Sequence, residues 1–319
     1  MRTDSALPPL ASGQQVCGKW QGQCWSVRRT LGEGTTGRVY LASSAGNSVA
    51  IKVCPRSADA ALEWSILTGV HPQGGPLLFP TPLWIDDGPP VAPFFYAMEV
   101  VTGQPLADTW QTAAGSLRQG IVQQIGAGLH HLHQQGYIFG DFKPENILVD
   151  LGPPLQVRFV DVGGVTSCGR SVRQFTPQFD RAFWGLGSRR AEPTYDIAAF
   201  AITLLILETG SPPSEIYAQR PEQRRLWLTR QKACLSQSLA QTVGQGLAGS
   251  VSNAEKFTAL CTRAMTGLSG VQGMSRSPQA TALPPQRRPF MAKDWTEWLM
   301  WLSLVAVVSV TVVAWVTIG

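Results

Sequence analysis

An unbroken apolar stretch near the end of the chain is the strongest constraint on what the chain can form. Residues 298–318 read WLMWLSLVAVVSVTVVAWVTI and include no charged side chain. As a helix this stretch would be about 31 Å long, which matches a hydrocarbon core of roughly 30 Å. Tryptophans lie at both of its ends, as they do at membrane interfaces, and no turn residue divides it into a pair of strands. The sequence therefore predicts a transmembrane anchor over residues 295–319.

The segment before this stretch predicts a tether and an orientation. Arg287, Arg288 and Lys293 immediately precede the apolar run. Because basic residues stay on the cytoplasmic side of a membrane, we expect the preceding domain to face the cytoplasm, with the lipid bilayer as a partner. Residues 268–292 are rich in Ser, Pro, Gly and Gln and have little apolar periodicity, which predicts a flexible linker over 266–294.

Charge and cysteine content narrow the remaining possibilities. The formal net charge is +5 without a long run of like charges, so nucleic acid is not expected as a partner. Six cysteines are scattered along the chain, and Cys17 and Cys24 lack the second ligand pair that a structural zinc site needs. We therefore expect ordinary reduced thiols, as in cytosolic proteins.

A glycine-rich stretch near the start of the chain is the first candidate binding site. Gly32, Gly34 and Gly37 lie between strand-like runs at 25–31 and 39–42. Glycines let backbone N–H groups approach phosphate oxygens closely. A dinucleotide-binding loop would lead into a helix, whereas this one returns as a hairpin, which predicts a phosphate-covering flap. The nucleotide-contacting residues of this flap would be Leu31, Gly32, Glu33, Gly34, Thr35, Thr36, Gly37, Arg38 and Val39.

A lysine in an apolar strand pattern is the second candidate. Lys52 lies within the run Val-Ala-Ile-Lys-Val at 49–53. Because a buried ammonium group requires an anionic partner, Lys52 points either to solvent or to phosphate and a carboxylate. The best carboxylate is Glu63, on the helical pattern that follows. Together, the glycine-rich hairpin, the lysine strand and the helix glutamate resemble the small lobe of a protein kinase.

This resemblance implies an ATP site and assigns further residues to it. Residues 95–103 resemble the strand and hinge that join the two lobes of a kinase. By the resemblance, Met98 lines the back of the adenine pocket with Ala50, and backbone groups near Glu99 and Val101 bind the base. Taken alone, the same stretch is equally consistent with a core strand that ends in a turn.

The sequence at 141–146, DFKPEN, carries the chemistry that the family requires, in the form typical of serine/threonine kinases. Asp141 would orient the substrate hydroxyl and accept its proton. Lys143 would neutralise the γ-phosphate as it moves, and Asn146 would turn back to a magnesium ion on the nucleotide. Farther along, residues 159–163 read FVDVG and match the metal-binding D-F-G motif, so Asp161 would supply an oxygen ligand to Mg²⁺.

An apolar helix pattern from Tyr195 to Gly210 resembles the buried central helix of the large kinase lobe. Its Asp196 would brace the catalytic loop through backbone N–H groups. The resemblance therefore predicts a bacterial-like, bilobal α+β kinase fold over residues 25–265, with a small β-rich lobe and a helical lobe. Residues 1–24 would form an N-terminal extension, and ATP and Mg²⁺ would be the cofactors.

Two parts of the pattern depart from the family. Phe139 and Gly140 replace the histidine and arginine that usually precede the catalytic aspartate. Because that arginine normally binds a phosphorylated activation segment, we expect basal activity to be independent of phosphorylation there. At the end of the same segment, Arg181 and Ala182 stand where Pro-Glu is expected, and residues 191–193 offer a scrambled second candidate for the missing Ala-Pro-Glu.

Three functions are compatible with these patterns. The leading hypothesis is a membrane-anchored serine/threonine kinase that phosphorylates proteins, because Lys52, Asp141, Asn146 and Asp161 all survive. The alternative is a pseudokinase that acts as a nucleotide-binding scaffold, supported by the altered Phe139-Gly140 pair. A kinase of small molecules is a third possibility, which the serine/threonine-like Lys143 disfavours.

Overall fold

The computed structural model describes residues 7–70 and 77–269, which form a small β-rich lobe followed by a larger, mostly helical lobe. The predicted anchor at 295–319 and most of the predicted linker lie outside these residues. Within the described ranges no helix is both long and apolar enough to cross a bilayer. The predicted bilobal α+β architecture is therefore confirmed for the part of the chain that the structure describes.

The small lobe is built on one antiparallel sheet. Its strands are β1 (Gln15–Cys17), β2 (Cys24–Gly34), β3 (Gly37–Ser44), β4 (Asn47–Cys54), β5 (Pro82–Asp87) and β6 (Phe94–Met98), in the order β1-β2-β3-β4-β6-β5. Alternate residues of β3, Tyr40 and Ala42, are buried in a core with Val27 and Ile51, as a half-buried strand requires. Strands β2 and β3 meet in a hairpin that pairs Gly34 with Gly37, so the predicted hairpin is confirmed.

Helix α1 (Ser57–Gly69) follows β4 directly and lies against the sheet. Its buried residues are Ala60, Glu63 and Leu67, a spacing that places them on one helical face. Glu63 therefore points inward although it is charged. Two residues, Pro55 and Arg56, connect β4 to α1, and this short connection brings the buried face of α1 to β4.

The hairpin of β1 and β2 reaches across to the opposite edge of the sheet. Its tip donates backbone hydrogen bonds from Trp20 and Gln21 to the buried carboxylate of Asp86 on β5, at 2.9 and 2.8 Å. Trp25 of β2 stacks on Trp84 of β5, with ring centroids 5.2 Å apart. These contacts join the two edges of the sheet, so residues before position 25 contribute to the packing of the small lobe.

A disulfide between Cys17 and Cys24 closes this hairpin. The prediction of reduced thiols is wrong for this pair, because the antiparallel register of β1 and β2 places the two cysteines directly opposite each other. Sequence spacing alone does not reveal that pairing. Among the described residues the other four cysteines are free: Cys54, Cys168, Cys234 and Cys261.

The large lobe surrounds one fully buried helix. Its helices are α2 (Leu106–Thr112), α3 (Gly115–Gln134), α4 (Pro193–Thr209), α5 (Pro221–Lys232), α6 (Gln237–Leu247) and α7 (Ala254–Ser269). Every residue of α4 from Tyr195 to Leu207 is buried, as expected for a helix that is apolar on all sides. Helix α7 runs past the predicted domain boundary at 265 before it ends.

Short strands carry the loops that face the small lobe. They are β7 (Gln104–Pro105), β8 (Tyr137–Ile138), β9 (Ile147–Asp150), β10 (Gln156–Phe159) and β11 (Thr166–Ser167). β9 and β10 form an antiparallel pair, and β8 pairs with β11. The DFKPEN loop lies between β8 and β9, and Asp161 follows β10. Because β9 and β10 pair with each other, the two stretches are attached to the same small sheet.

Candidate active site

Lys52, Glu63 and Asp161 form a charge cluster between the two lobes. The Lys52 ammonium lies 2.6 Å from Glu63 Oε2 and 3.1 Å from Asp161 Oδ1. Each residue comes from a different element: β4, α1 and the turn after β10. The structure thus brings together three residues that the sequence separates by more than a hundred positions, as the kinase resemblance predicted.

The cluster is buried, so its charges interact strongly. Burial alone would lower the pKa of Lys52, but attraction to Asp161 and Glu63 outweighs it and raises that pKa above its ordinary value. Burial would likewise raise the pKa of Asp161, and the nearby Lys52 charge lowers it instead. Lys52 and Asp161 therefore both favour their charged forms at neutral pH. Removing one partner of such a pair typically costs about 3–5 kcal/mol, because it leaves an uncompensated buried charge.

Tyr96 is a member of this cluster that the sequence analysis missed. It lies on β6 opposite Lys52, and its hydroxyl donates a 2.8 Å hydrogen bond to Glu63 Oε2. Burial, followed by the negative charge of Glu63, raises the pKa of Tyr96 well above its usual range, so the phenol stays protonated as a donor. The cross-strand register could have revealed this neighbour only after the strand order was known.

The catalytic loop places Lys143 and Asn146 next to Asp141. Lys143 Nζ lies 3.0 Å from Asp141 Oδ2, and Asn146 Nδ2 donates to the Asp141 carbonyl oxygen at 3.0 Å. Thr176, from the following segment, donates to Asp141 Oδ1 at 2.9 Å and accepts from Lys143 at 3.2 Å. Thr176 is therefore part of the hydrogen-bond network around Asp141.

Asp196 supports this loop from below, as predicted. Its carboxylate is fully buried and accepts hydrogen bonds from the backbone N–H groups of Phe139 and Gly140 at 2.7 and 2.9 Å. His133 at the end of α3 lies 2.9 Å from the same carboxylate. Asp196 therefore holds the backbone before Asp141 at two points, and His133 contacts Asp196 in turn, without the usual histidine and arginine.

The two substituted positions have physical reasons of their own. Phe139 packs against Phe159, with ring centroids 4.6 Å apart, and against Phe79 and Phe142. Gly140 has φ +78°, and any Cβ there would collide with the carbonyl oxygen of Gly164. An aromatic cluster and a glycine thus replace the polar pair while the loop keeps its geometry.

The predicted hinge is tied to β10, the strand before Asp161, by an ion pair. Glu99 follows β6 and accepts hydrogen bonds from Arg158 of β10 on both oxygens, at 3.1 and 2.8 Å. Burial alone would raise the pKa of Glu99, but hydrogen bonds from Arg158 and Thr81 lower it to about 2. Its backbone N–H donates to the Thr81 carbonyl, so its carbonyl is the group left for a base. Arg158 is a second residue that the sequence analysis missed.

The remaining residues predicted to contact the nucleotide lie on both faces of the small-lobe sheet, and some of them lie on the face of Lys52. Val39 pairs with Lys52 across β3 and β4, and Ala50 pairs with Met98 across β4 and β6, so these side chains share the cleft region. Met98 is 5% exposed, whereas Val101 is half-buried at the start of the large lobe.

The flap covers Asp161, but two of its side chains face away from the cleft. A Cβ built on Gly34 would lie 3.9 Å from Asp161 Oδ2, a measure of how closely the hairpin approaches the predicted metal ligand. Glu33 and Arg38 pair with each other on the opposite face and line a cavity of about 300 Å³ with Val53. Any contact of these two residues with phosphate would therefore come from their backbone. The rest of the predicted flap, Leu31, Gly32, Thr35, Thr36 and Gly37, forms the hairpin itself.

The donor atoms at this site fit Mg²⁺ bound to a nucleotide. Asp161 Oδ1 is used by Lys52 and the Gly163 N–H, while Oδ2 accepts no hydrogen bond from any described residue. Asn146 uses its amide N–H groups toward Asp141, which leaves its amide oxygen available. The described residues contain no cluster of three His, Cys, Asp or Glu that could hold a metal by itself. A magnesium ion here would bind through Asp161, Asn146 and phosphate oxygens, as this ion does at nucleotide sites.

The activation segment, residues 162–192, ends in ion pairs that differ from the sequence expectation. Arg181 is buried and donates to Glu192 Oε1 at 2.6 Å, just before α4. Asp180 is fully buried and accepts from Arg189 and from the Tyr195 hydroxyl, at 2.8 and 3.0 Å. The glutamate of the scrambled candidate at 191–193 therefore does form an ion pair, and its partner lies within the segment itself.

Fold and site together define the class of protein. A β-rich lobe and a helical lobe meet at a site where Lys52 pairs with Glu63 and Asp161 and where Asp141 lies beside Lys143. A family model described as "Protein kinase domain" matches residues 91–261. This chain belongs to the protein kinase domain family.

Several proteins are similar to the chain. Serine/threonine-protein kinase YabT of Bacillus subtilis is 36% identical over 200 residues, covering 61% of this chain and 59% of that protein. Serine/threonine-protein kinase PknD of Mycobacterium tuberculosis is 30% identical over 206 residues, or 59% of this chain and 30% of that protein. The chain thus spans less than two thirds of these relatives.

Solved structures agree on the fold. The kinase domain of Mycobacterium tuberculosis PknI has a TM-score of 0.52 at 20% identity, with 81% of this chain and 100% of that one covered. Vaccinia related kinase 3 has a TM-score of 0.56 at 17% identity, with 85% and 94% covered. At these identities the likeness concerns the fold alone.

Proposed function

We propose that this chain is a serine/threonine protein kinase that transfers the γ-phosphate of ATP to hydroxyl side chains of proteins. The observation that carries the proposal is the preformed contact of Lys52 with both Glu63 and Asp161. In addition, Asp141 already contacts Lys143 and accepts a hydrogen bond from Thr176. A chain that no longer transferred phosphate would have no reason to keep both halves of this arrangement.

Each residue has a defined task in this reaction. Lys52 holds the ATP phosphates by charge, and Glu63 with Tyr96 fixes the direction of its ammonium group. Asp141 orients the substrate hydroxyl and accepts its proton, and Lys143 stabilises the negative charge on the moving phosphoryl group. Magnesium, held by Asp161 and Asn146, would supply further neutralisation of the phosphates. Phosphoryl transfer depends on such positioning and charge, and the described side chains provide both.

The test is transfer of label by the full chain. Purified protein is incubated with Mg²⁺, labelled ATP and a generic protein substrate, alongside the Asp141→Asn variant. We expect label on serine or threonine, and a loss of at least about 1000-fold in the variant. ATP binding without transfer would instead support the pseudokinase alternative, which the Phe139-Gly140 pair favours. Label that appears only on a small molecule would support the third possibility, a kinase of small molecules.

We further propose that residues 295–319 anchor the kinase in a bilayer, with 266–294 as linker and the domain facing the cytoplasm. The support is the uncharged stretch at 298–318 and the basic residues before it. The Cys17–Cys24 disulfide is evidence in the other direction, because disulfides persist mainly in oxidising compartments.

A labelling experiment decides the orientation. Cys168 and Cys234 are exposed, so an impermeant maleimide applied to intact cells reports the side on which they lie. We expect labelling only after the cells are broken, and membrane fractionation that is lost when residues 295–319 are deleted. Labelling in intact cells would place the domain outside the cytoplasm. If the chain without residues 295–319 still fractionated with membranes, the proposed anchor would be refuted.

A further inference from the structure

The activation segment carries an unusual excess of positive charge. Between residues 162 and 192 the chain contains five arginines and two acidic residues, Asp180 and Glu192. Asp180 is buried and bound to Arg189, and Arg181 is buried and bound to Glu192. The remaining arginines, Arg170, Arg173 and Arg190, are exposed and form no ion pair with any described residue.

Two of these arginines share one face of a short strand pairing. Ser171 pairs with Arg190 in an antiparallel bridge, and the flanking Val172 and Ala191 point into a buried cluster with Tyr195. Because side chains alternate along a strand, Ser171, Arg173 and Arg190 point the opposite way, to the surface. Diagonal neighbours across such a bridge lie about 7–8 Å apart at their Cα atoms, so the two arginines leave the backbone as neighbours on one surface. The hydrogen bond from Arg181 lowers the pKa of Glu192, and the positive charge of Arg190 lowers that pKa further.

The position of this pair relates it to the substrate. Arg173 Nη2 donates to the Val165 carbonyl at 2.8 Å, which fixes the guanidinium beside the turn that follows Asp161. Arg173 also lies three residues before Thr176, whose hydroxyl contacts Asp141. Three extended residues span about 10 Å, so a peptide that places its hydroxyl at Asp141 would bring a residue two to four positions away to this pair.

We propose that Arg173 and Arg190 form an acidic-residue subsite that selects protein substrates carrying a carboxylate or phosphate near the phosphorylated hydroxyl. This rests on the proposed kinase function and names its substrate class. A guanidinium group has five donors in a fixed fork, which suits both anions, and Arg173 uses only part of its set on Val165.

The experiment uses the full chain and matched serine peptides. A neutral parent peptide with glutamine at every flanking position is compared with peptides that have one glutamate at each position from four before to four after the serine. We expect kcat/KM to rise about tenfold for glutamate at one or two adjacent positions on one side. The rise should shrink at high salt, because both arginines are exposed.

Three variants assign the effect. Arg173→Gln with Arg190→Gln should reduce the glutamate preference to below about twofold while kcat/KM for the glutamine peptide stays within about twofold. Arg220→Gln with Arg230→Gln removes the same charge from exposed positions at α5 and should leave the preference intact. All measurements are repeated with Ser171→Ala, so that a phosphate on Ser171 cannot neutralise the pair.

Failure of the subsite is distinct from failure of the kinase. Equal rates on glutamate and glutamine peptides, or a preference that survives the Arg173/Arg190 double variant, would overturn the subsite and leave the kinase standing. If no peptide is phosphorylated, fluorescence anisotropy with the same peptides applies, and an unchanged affinity in the double variant refutes the subsite. If the Arg173/Arg190 double variant no longer bound phosphatidylglycerol vesicles but kept the peptide preference of the native chain, the pair would be assigned to a lipid surface instead.

Discussion

The nucleotide end of the site and the activation-segment end reach their stability in different ways. At the first, Lys52, Glu63 and Asp161 are the residues that the kinase resemblance predicts, at the positions where it predicts them. At the second, the expected Pro-Glu is absent, and the Arg181–Glu192 pair occurs within the segment instead. The first set faces a ligand of fixed charge and shape, whereas a structural pair only needs its two members to match each other. Different degrees of chemical constraint explain why one end keeps its residues and the other does not.

The largest effect is expected at the nucleotide end. Asp161→Asn keeps the size of the side chain but removes the charge that would hold magnesium, so kcat should fall by at least about 1000-fold. Steady-state kinetics with a protein substrate measures the change. Thermal unfolding serves as the control, since a collapse of the fold would make the loss uninformative. A fall in kcat of less than tenfold in Asp161→Asn would contradict the view that the nucleotide end is more tightly constrained than the activation-segment end.

Thr176 tests where catalytic constraint begins in the activation segment. Thr176→Val removes the hydroxyl between Lys143 and Asp141, and we expect kcat to fall about 10–100-fold because the carboxylate loses an orienting donor. The matched control is Ser167→Ala with Ser171→Ala, since both serines are exposed.

The control also tests independence from loop phosphorylation. The double serine variant should keep its rate within about threefold, since the arginine that usually binds a segment phosphate is replaced by Gly140. A rate loss beyond tenfold in that variant would refute the expectation.

A smaller effect, on stability rather than rate, is expected at the Arg181–Glu192 pair. Glu192→Gln leaves a hydrogen-bond acceptor but removes the charge facing a buried arginine. Because the Glu192 side chain is 43% exposed, water compensates part of the loss, and we expect about 1 kcal/mol less stability. Urea unfolding measures this, and kcat should stay within about threefold. A large drop in kcat with little change in stability would show that this end is catalytic as well.

The smallest effect is a pH dependence at the hinge. Arg158 and Thr81 hold the pKa of Glu99 at about 2, below its ordinary value of about 4.3, so its ionised form stabilises the fold above that ordinary value. That contribution is lost as the pH falls from about 4.5 through about 2. The difference in urea midpoint between the native chain and Glu99→Gln should therefore be constant above about pH 5 and shrink at pH 3. A difference that does not change with pH would contradict the assignment.

Sequence patterns were sufficient for the parts of the site that a ligand constrains. The DFKPEN stretch, Asp161 and the Lys52 strand specify a chemistry, and the structure places their side chains together. Tyr96 and Arg158 were missed because their roles depend on strand register and on the distance between β6 and β10, which no local pattern encodes. The Cys17–Cys24 disulfide was missed for the same reason, since it follows from the pairing of β1 with β2.

Calorimetric titration of Mg·ATP into the full chain tests the central claim most directly, because every proposed role assumes that this cleft holds the nucleotide. We predict saturable binding that requires magnesium in the native chain, and binding that no longer responds to magnesium in Asp161→Asn. If the native chain shows no heat of binding and Mg·ATP does not protect it against thermal unfolding, the kinase assignment is contradicted.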